Sequence, residues 1–278
     1  MLAGLAVLAA LGIAIAGDRL IKRNDVRVGA LPSDLAGETV LIPSRSGSTL
    51  HGWFLPGRSG APAVMLLHSL HGSRKNMLSR ARFLNRNGYA VLLFDFQANG
   101  ESPGKHVTFG HLESLDAQAG LQFLRTRLPQ AKIGVIGTSM GGAAALLAQP
   151  ALQADALVLE AVYPGIEQAI ANRLRIHGGA WAGVLTPALT LQMQPRIGVT
   201  PEALRPIDRV AQSRVPKLFI AGTEDLHTLP EESRSLFDAA SQPKVLWMIE
   251  NAGHVDFHAH ASGEYEYRVL AFLEMNLR

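Results

Sequence analysis

Six short runs of nearly unbroken aliphatic residues recur along the chain: AVMLLH (63–68), AVLLFDF (90–96), KIGVIG (132–137), ALVLEA (156–161), PKLFIAG (216–222) and KVLWMIE (244–250). A strand that is apolar at every position has no face to offer water, so each run belongs in a parallel sheet covered by helices on both sides. The stretches 77–87, 110–127, 141–149, 165–194, 231–240 and 263–277 have helical length or spacing and alternate with these runs and with two earlier β-rich runs, TVLIPS (39–44) and TLHGWFL (49–55). Alternation of this kind predicts a doubly wound, mostly parallel α/β sheet of eight strands. With 47% hydrophobic and 18% charged residues, 278 residues suffice for one large core. No internal repeat, low-complexity tract or second-domain boundary interrupts residues 39–278, so one domain is expected there.

The remaining composition excludes several classes. There is no cysteine, hence no disulfide or thiolate metal site. The net charge is only +3 and the basic residues are scattered, so no nucleic-acid partner is expected. The first segment, MLAGLAVLAALGIAIAG (1–17), carries no charged side chain and is followed by Asp18, Arg19, Lys22, Arg23 and Arg27. As a helix it would span about 25 Å, close to the thickness of a bilayer core. Three readings compete: an uncleaved membrane anchor, a signal peptide cleaved near Ala14-Ile15-Ala16, and a helix buried in the protein's own core. The anchor is favoured, because a basic n-region is missing and the stretch is apolar on all faces. It implies a single-pass protein with a connector at 18–38, and the flanking positive charge favours a cytoplasmic location for the domain at 39–278.

Residues 134–142 read GVIGTSMGG, a serine between glycines where a strand gives way to an alanine-rich helix. So sharp a turn brings neighbouring Cβ atoms into collision, and Gly137, Gly141 and Gly142 remove them. The turn lifts the Ser139 hydroxyl above the sheet and aims the positive end of the following helix at it, which suits a site where an oxyanion forms. A serine hydroxyl needs a base to take its proton and an acid to orient that base. Asp225 follows the strand KLFIAG and His254 follows VLWMIE, each three or four residues beyond a strand's carboxyl end, where parallel α/β sheets place their ligand crevice. Glu224 and His258 are the alternatives. For the oxyanion, Met140 N–H is the expected first donor and Leu70 N–H, in HSLHGSRKNM, the second. His68 is read equally well as a pocket residue and as a satisfied strand-end histidine.

Together these segments resemble the α/β-hydrolase superfamily, in particular a membrane-anchored, single-domain serine-hydrolase branch with esterase and lysophospholipase members. The likeness covers nearly all of residues 38–277. HSLHGSRKNM is similar to that branch's His-Gly-x-x-Gly-Ser-Arg-x-x-Met loop, DFQANGESPG to its Asp-x-Arg-Gly-x-Gly-x-Ser-x-Gly loop, and TFGHLESLD to the segment that follows. GTSMGG, GTEDLHTLPEES and NAGHVDFH match the nucleophile, acid and histidine segments, so the resemblance implies Ser139, Asp225 and His254 as a triad. Ser69 and His71 stand where the first loop usually has glycine, and Gln97-Ala98 replaces Arg-Gly in the second.

The resemblance further implies a short helical cap, here about 163–213, that governs substrate choice. Its apolar stretch offers Trp181, Leu185 and Leu189 to line a pocket, and an anchored enzyme of this kind would act on a small-molecule or lipid ester with an apolar acyl group. Such chemistry calls for no cofactor. Peptidase and thioesterase activity would use the same triad. A metal hydrolase built from His254, Asp256, His258 and His260, and a binding protein that keeps the fold without turnover, are the rival classes.

Overall fold

A computed structural model describes the backbone of residues 2–278 and the side chains of residues 11–278. Eight strands, β1 (Glu38–Pro43), β2 (Thr49–Leu55), β3 (Ala63–Leu67), β4 (Ala90–Phe94), β5 (Ile133–Thr138), β6 (Ala156–Glu160), β7 (Lys217–Gly222) and β8 (Lys244–Ile249), form one sheet in the order β1-β2-β4-β3-β5-β6-β7-β8. β2 pairs antiparallel with β1 and β4, and every other pairing is parallel. This is the doubly wound sheet that the alternating runs predict, in the α/β-hydrolase arrangement that the resemblance implies.

Period-two alternation along the parallel strands divides the core. Met65 and Leu67 of β3 face one hydrophobic cluster, while Val64 and Leu66 face the other. The first cluster is covered by the long helix α3 (His111–Arg127), by α4 (Met140–Leu147) and by α5 (Ile166–Gly178); the second by α2 (Leu78–Arg86) and α11 (Ser262–Leu277). Between β6 and β7 the chain runs through α5, a 3₁₀ turn (Ala180–Leu185), α6 (Thr186–Thr190), α7 (Met193–Ile197) and α8 (Ile207–Val210). Gly179, at φ 81°, ends α5 and Pro187 opens α6, breaking what the composition of 165–194 suggested as one helical stretch.

The N-terminal segment corrects the sequence reading. Helix α1 (Leu2–Ile21) extends past Asp18 and Arg19, and among the described residues no helix is long and apolar enough to cross a membrane. Met1 and the side chains of 2–10, part of the expected 1–17 anchor, lie outside the described residues. From residue 13 onward the helix is received by the protein itself: Ile13, Ala16 and Leu20 pack on the first core cluster and Ile21 is buried within it. Gln192 Nε2 donates to Ile13 O, and Asp18 pairs with Arg196 of α7. The packed face of the described part meets α6 and the core while Leu11 and Ile15 stay exposed, and with no described helix able to cross a membrane, the single-pass anchor, the membrane partner and the localisation inferred from them are withdrawn.

Beyond α1 the connector is tied down. Asn24–Asp25 pairs with Asn99–Gly100, Lys22 bridges to His106, and Asn24 Nδ2 donates to the carbonyls of His71 and Gly72.

Candidate active site

Ser139 occupies the turn between β5 and α4 with φ 51° and ψ −114°, a conformation that L-residues adopt only when their surroundings impose it. The constraint comes from close backbone approach. A Cβ at Gly141 would lie 2.3 Å from Leu67 O, and one at Gly137 would lie 2.6 Å from Gly142 N. Ser139 N–H donates to Glu160 O at 2.7 Å, fastening the turn to the end of β6.

Glu160 is itself held by charge. Its carboxylate accepts from Arg80 Nε and Nη2 (3.1 and 2.7 Å), from Thr138 Oγ1 (2.9 Å) and from the Tyr265 hydroxyl, and Arg80 also reaches Asp256 at 2.7 Å. Arg80, Glu160 and Tyr265 are all buried. Removing one member of such a network strands a buried charge, so it fixes the turn more firmly than an apolar contact of equal area. Burial alone would lower the Arg80 pKa, but the fields of Glu160, Tyr265 and Asp256 outweigh it and hold Arg80 well above its usual value. Nothing in the linear sequence announced this network, because Arg80 lies 80 to 185 residues from its partners.

Asp225 and His254 meet on the same sheet edge. Asp225 Oδ2 lies 2.7 Å from His254 Nδ1, while its Oδ1 accepts from the N–H groups of His227 and Thr228 at 2.8 and 2.9 Å. Asp225 is buried and the imidazole is partly exposed. With Nδ1 directed to the carboxylate, Nε2 is left to act as acceptor. Asp225 is the one hydrogen-bond partner of the His254 ring among the described residues, so Ser139 and His254 are not bonded in this conformation. Such contacts are commonly loose before substrate binds.

Ser139, Met140 and Leu70 share the wall of one small cavity of about 20 Å³, room for a single water. Neither Met140 N–H nor Leu70 N–H donates to an acceptor among the described residues. The Leu70 loop departs from the glycine pattern at a specific place: His71 takes φ 53° and Ala98, in the second irregular loop, φ 56°. Strain therefore falls on His71 rather than on Ser69. His71 Nε2 sits 3.1 Å from Lys22 O, and Asn24 N–H donates to Ala98 O at 2.9 Å, so the connector after α1 braces both loops. Arg74 supports the same region, pairing with Asp95 and Glu101 from a buried position.

The other expected site residues lie elsewhere. His68 is fully buried; its Nδ1 is 2.7 Å from Ser69 O, its Nε2 accepts from Phe96 N–H at 3.0 Å, and burial lowers its pKa. It is a satisfied strand-end histidine and not a pocket residue. Trp181 (86% exposed) and Leu185 do not line the cavity beside Ser139. Leu189 is buried and borders a second cavity of about 20 Å³, which shares Leu20, Phe109 and Ile170 with the first. Of the alternatives, Glu224 contributes its N–H to Ala252 O, and His258 packs on Phe83 and faces Glu266. Asp256 caps helix α10 (Phe257–His260), so His254, Asp256 and His258 are drawn to three different partners. None of the other lining residues was anticipated. Leu20 arrives from α1 and Arg173 from α5, and neither position carries a sequence signal, because lining is set by how helices pack.

Comparison with known proteins agrees with this architecture. An esterase from Pyrococcus furiosus superposes with a TM-score of 0.76 at 24% identity, covering 93% of this chain and 99% of its own. Among curated proteins, YqkD of Bacillus subtilis is 24% identical over 84% of this chain and 78% of its own length. The alpha/beta hydrolase domain-containing protein WAV2 of Arabidopsis thaliana is 27% identical over 87% and 80%. Residues 60–203, just over half of the chain, match the family model Hydrolase_4, described as serine aminopeptidase, S33. With that match spanning the Leu70 loop, the Ser139 turn and most of the helical segment before β7, the chain belongs to the Hydrolase_4 family of the α/β-hydrolase superfamily.

Proposed function

We propose that this hydrolase cleaves carboxylic esters through a Ser139–His254–Asp225 triad and an acyl-enzyme. The observation that carries the reading is Ser139 held at φ 51° on the strand-to-helix turn, with the unpaired N–H groups of Met140 and Leu70 on the wall of the same cavity. His254 Nε2 takes the Ser139 proton as the hydroxyl oxygen attacks the ester carbonyl, and the two N–H groups receive the oxyanion. Collapse of the tetrahedral intermediate passes that proton to the leaving alcohol. Water then repeats the sequence and releases the acid. Asp225 keeps the Nδ1–H tautomer and stabilises the imidazolium.

Leu20, Phe109 and Ile170 give the cavity apolar walls, which supports a compact apolar acyl group. An aminopeptidase reading, suggested by the family's description, fits less well: an α-ammonium group calls for a free carboxylate, and the cavity presents the cation Arg173 instead.

The test is labelling with a fluorophosphonate probe, mapped by mass spectrometry. Labelling at Ser139 that disappears in Ser139→Ala, with the melting temperature unchanged, is the expected result. Wild-type protein that melts cooperatively yet takes no label would overturn the reading in favour of a binding protein.

A further inference from the structure

Arg173 is the arginine of the segment between β6 and β7 that lines the cavity of Ser139; Arg209 and Arg214 also meet no carboxylate among the described residues, but neither borders that cavity. Arg175 donates to Asn172 Oδ1, Arg196 pairs with Asp18, and Arg205 pairs with Asp208. The Arg173 guanidinium donates to Ala169 O, one turn back on its own helix, at 3.2 Å, and among the described residues it meets no carboxylate within ion-pair distance. It is half-buried nonetheless and lines the cavity that holds Ser139. Withdrawing a cation from water without a counter-ion is costly, and guanidinium does not escape the cost by losing its proton.

The neighbouring charges do not supply the missing partner. Asp225 is close enough to be felt by Arg173, but its two oxygens are already occupied by His254 and by the N–H groups of His227 and Thr228. Tyr163, another neighbour, donates its hydroxyl to Phe109 O at 2.8 Å, and burial pushes its pKa up, so it stays neutral. His71 and His227 also feel Arg173, and both add positive character when protonated. Around an apolar cavity Arg173 is thus the one ionised lining side chain, with planar donors available beside the nucleophile.

We propose that Arg173 is a specificity-determining residue that binds an anionic group, carboxylate or phosphate, on the ester this enzyme hydrolyses. The inference rests on the serine-hydrolase reading and narrows its substrate class to esters carrying a negative charge within reach of the scissile carbonyl.

Two matched pairs of substrates test it and distinguish the source of the charge. 4-Methylumbelliferyl hydrogen succinate against the butyrate puts a carboxylate on the acyl side, and 1-acetylglycerol 3-phosphate against monoacetylglycerol puts a phosphate on the alcohol side. The wild-type full chain is expected to prefer the charged member of at least one pair in kcat/KM. Arg173→Gln lowers that charged-to-neutral ratio by about 10- to 100-fold, the range set by losing a charge-assisted hydrogen bond, and Arg173→Lys restores part of it. A preference for neutral esters in both pairs, or a ratio that Arg173→Gln leaves unchanged, overturns the proposal. A second readout is independent of turnover: succinate and inorganic phosphate are titrated calorimetrically into Ser139→Ala protein with and without Arg173→Gln. Binding that depends on Arg173 in a protein whose Ser139 takes no fluorophosphonate would retain the anion site and discard the hydrolase reading. Equal or absent binding of both anions, beside a labelled Ser139, would retain the hydrolase and discard the anion site.

Discussion

Gly141 and Gly137 are limited by backbone rather than by side chains, which makes the Ser139 turn intolerant of repair. A methyl at Gly141 would stand 2.3 Å from Leu67 O and 2.7 Å from His68 O, both fixed by the sheet. Gly141→Ala is therefore expected to cost about 3 kcal/mol or more, seen as a lower urea midpoint, and to abolish labelling of Ser139 in whatever folds. Retention of wild-type stability would show that the turn can move. The same rigidity explains why the Ser139 turn was legible in the sequence: glycine has few other reasons to flank a serine between an apolar run and an alanine-rich stretch. The meeting of Asp225 with His254 was legible because strand ends can be read from apolar runs, and crevices form at strand ends. His68 left two readings open, since whether both ring nitrogens find partners depends on Ser69 and Phe96, and only the three-dimensional arrangement decides that. Arg173 was illegible for the same reason: lacking a partner is a property of space.

Helix α1 shows where element-level reading stops. Hydropathy reports that an apolar surface must be received, but not by what, and here α6 and the core receive Ile13, Ala16, Leu20 and Ile21. The strands escaped that ambiguity because each apolar run was bracketed by helices that could cover it. Packed as it is, α1 places Leu20 at the junction of the two small cavities, which share Leu20, Phe109 and Ile170. Leu20→Ala is expected to join them into one slot and to shift the preferred acyl chain of a graded ester series toward greater length, at a stability cost of about 1–2 kcal/mol. An unchanged chain-length profile would mean that α1 does not wall the acyl site. The stretch after α1 has a separate duty. Asn24 holds the His71 and Gly72 carbonyls and, through its own N–H, Ala98 O, so it secures two loops whose non-glycine residues sit at positive φ. Asn24→Ala is expected to lower kcat about tenfold, as for a misplaced oxyanion donor, with KM little changed. A loss confined to KM would assign Asn24 to substrate binding instead.

At the scale of the whole molecule, Asp116 ties three parts of the fold together. Its Oδ1 accepts from Ser44 and Ser46 in the β1–β2 turn, its Oδ2 accepts from Gln97 N–H beyond β4, and it stands on α3 next to Glu113. Burial pushes the Asp116 carboxyl up to about 7 despite those three donors, from an ordinary value near 3.8. Between these limits the folded protein keeps a proton that the unfolded chain gives up, so this group's contribution to stability falls as pH rises from about 4 to about 7 and then levels off. From pH 5 to pH 8 the loss is about 2–3 kcal/mol. His68, His71 and His227 act in the opposite sense: burial lowers each of them below 6.5, the unfolded chain binds their protons more readily, and stability from that source rises as pH climbs toward 6.5 and levels off above it. Wild-type stability is thus the sum of opposing slopes, and a single pH profile cannot apportion it. The difference between wild type and Asp116→Asn can, since the histidines are common to both. Asparagine cannot accept from all three donors, so the variant is expected to be less stable at pH 5, while the gap narrows by about 2 kcal/mol by pH 8. Urea unfolding of both proteins at unit pH steps measures it. A gap that stays constant across that range would show that Asp116 is already ionised at pH 5, with the two serine hydroxyls and the Gln97 N–H sufficient to hold its charge inside the protein.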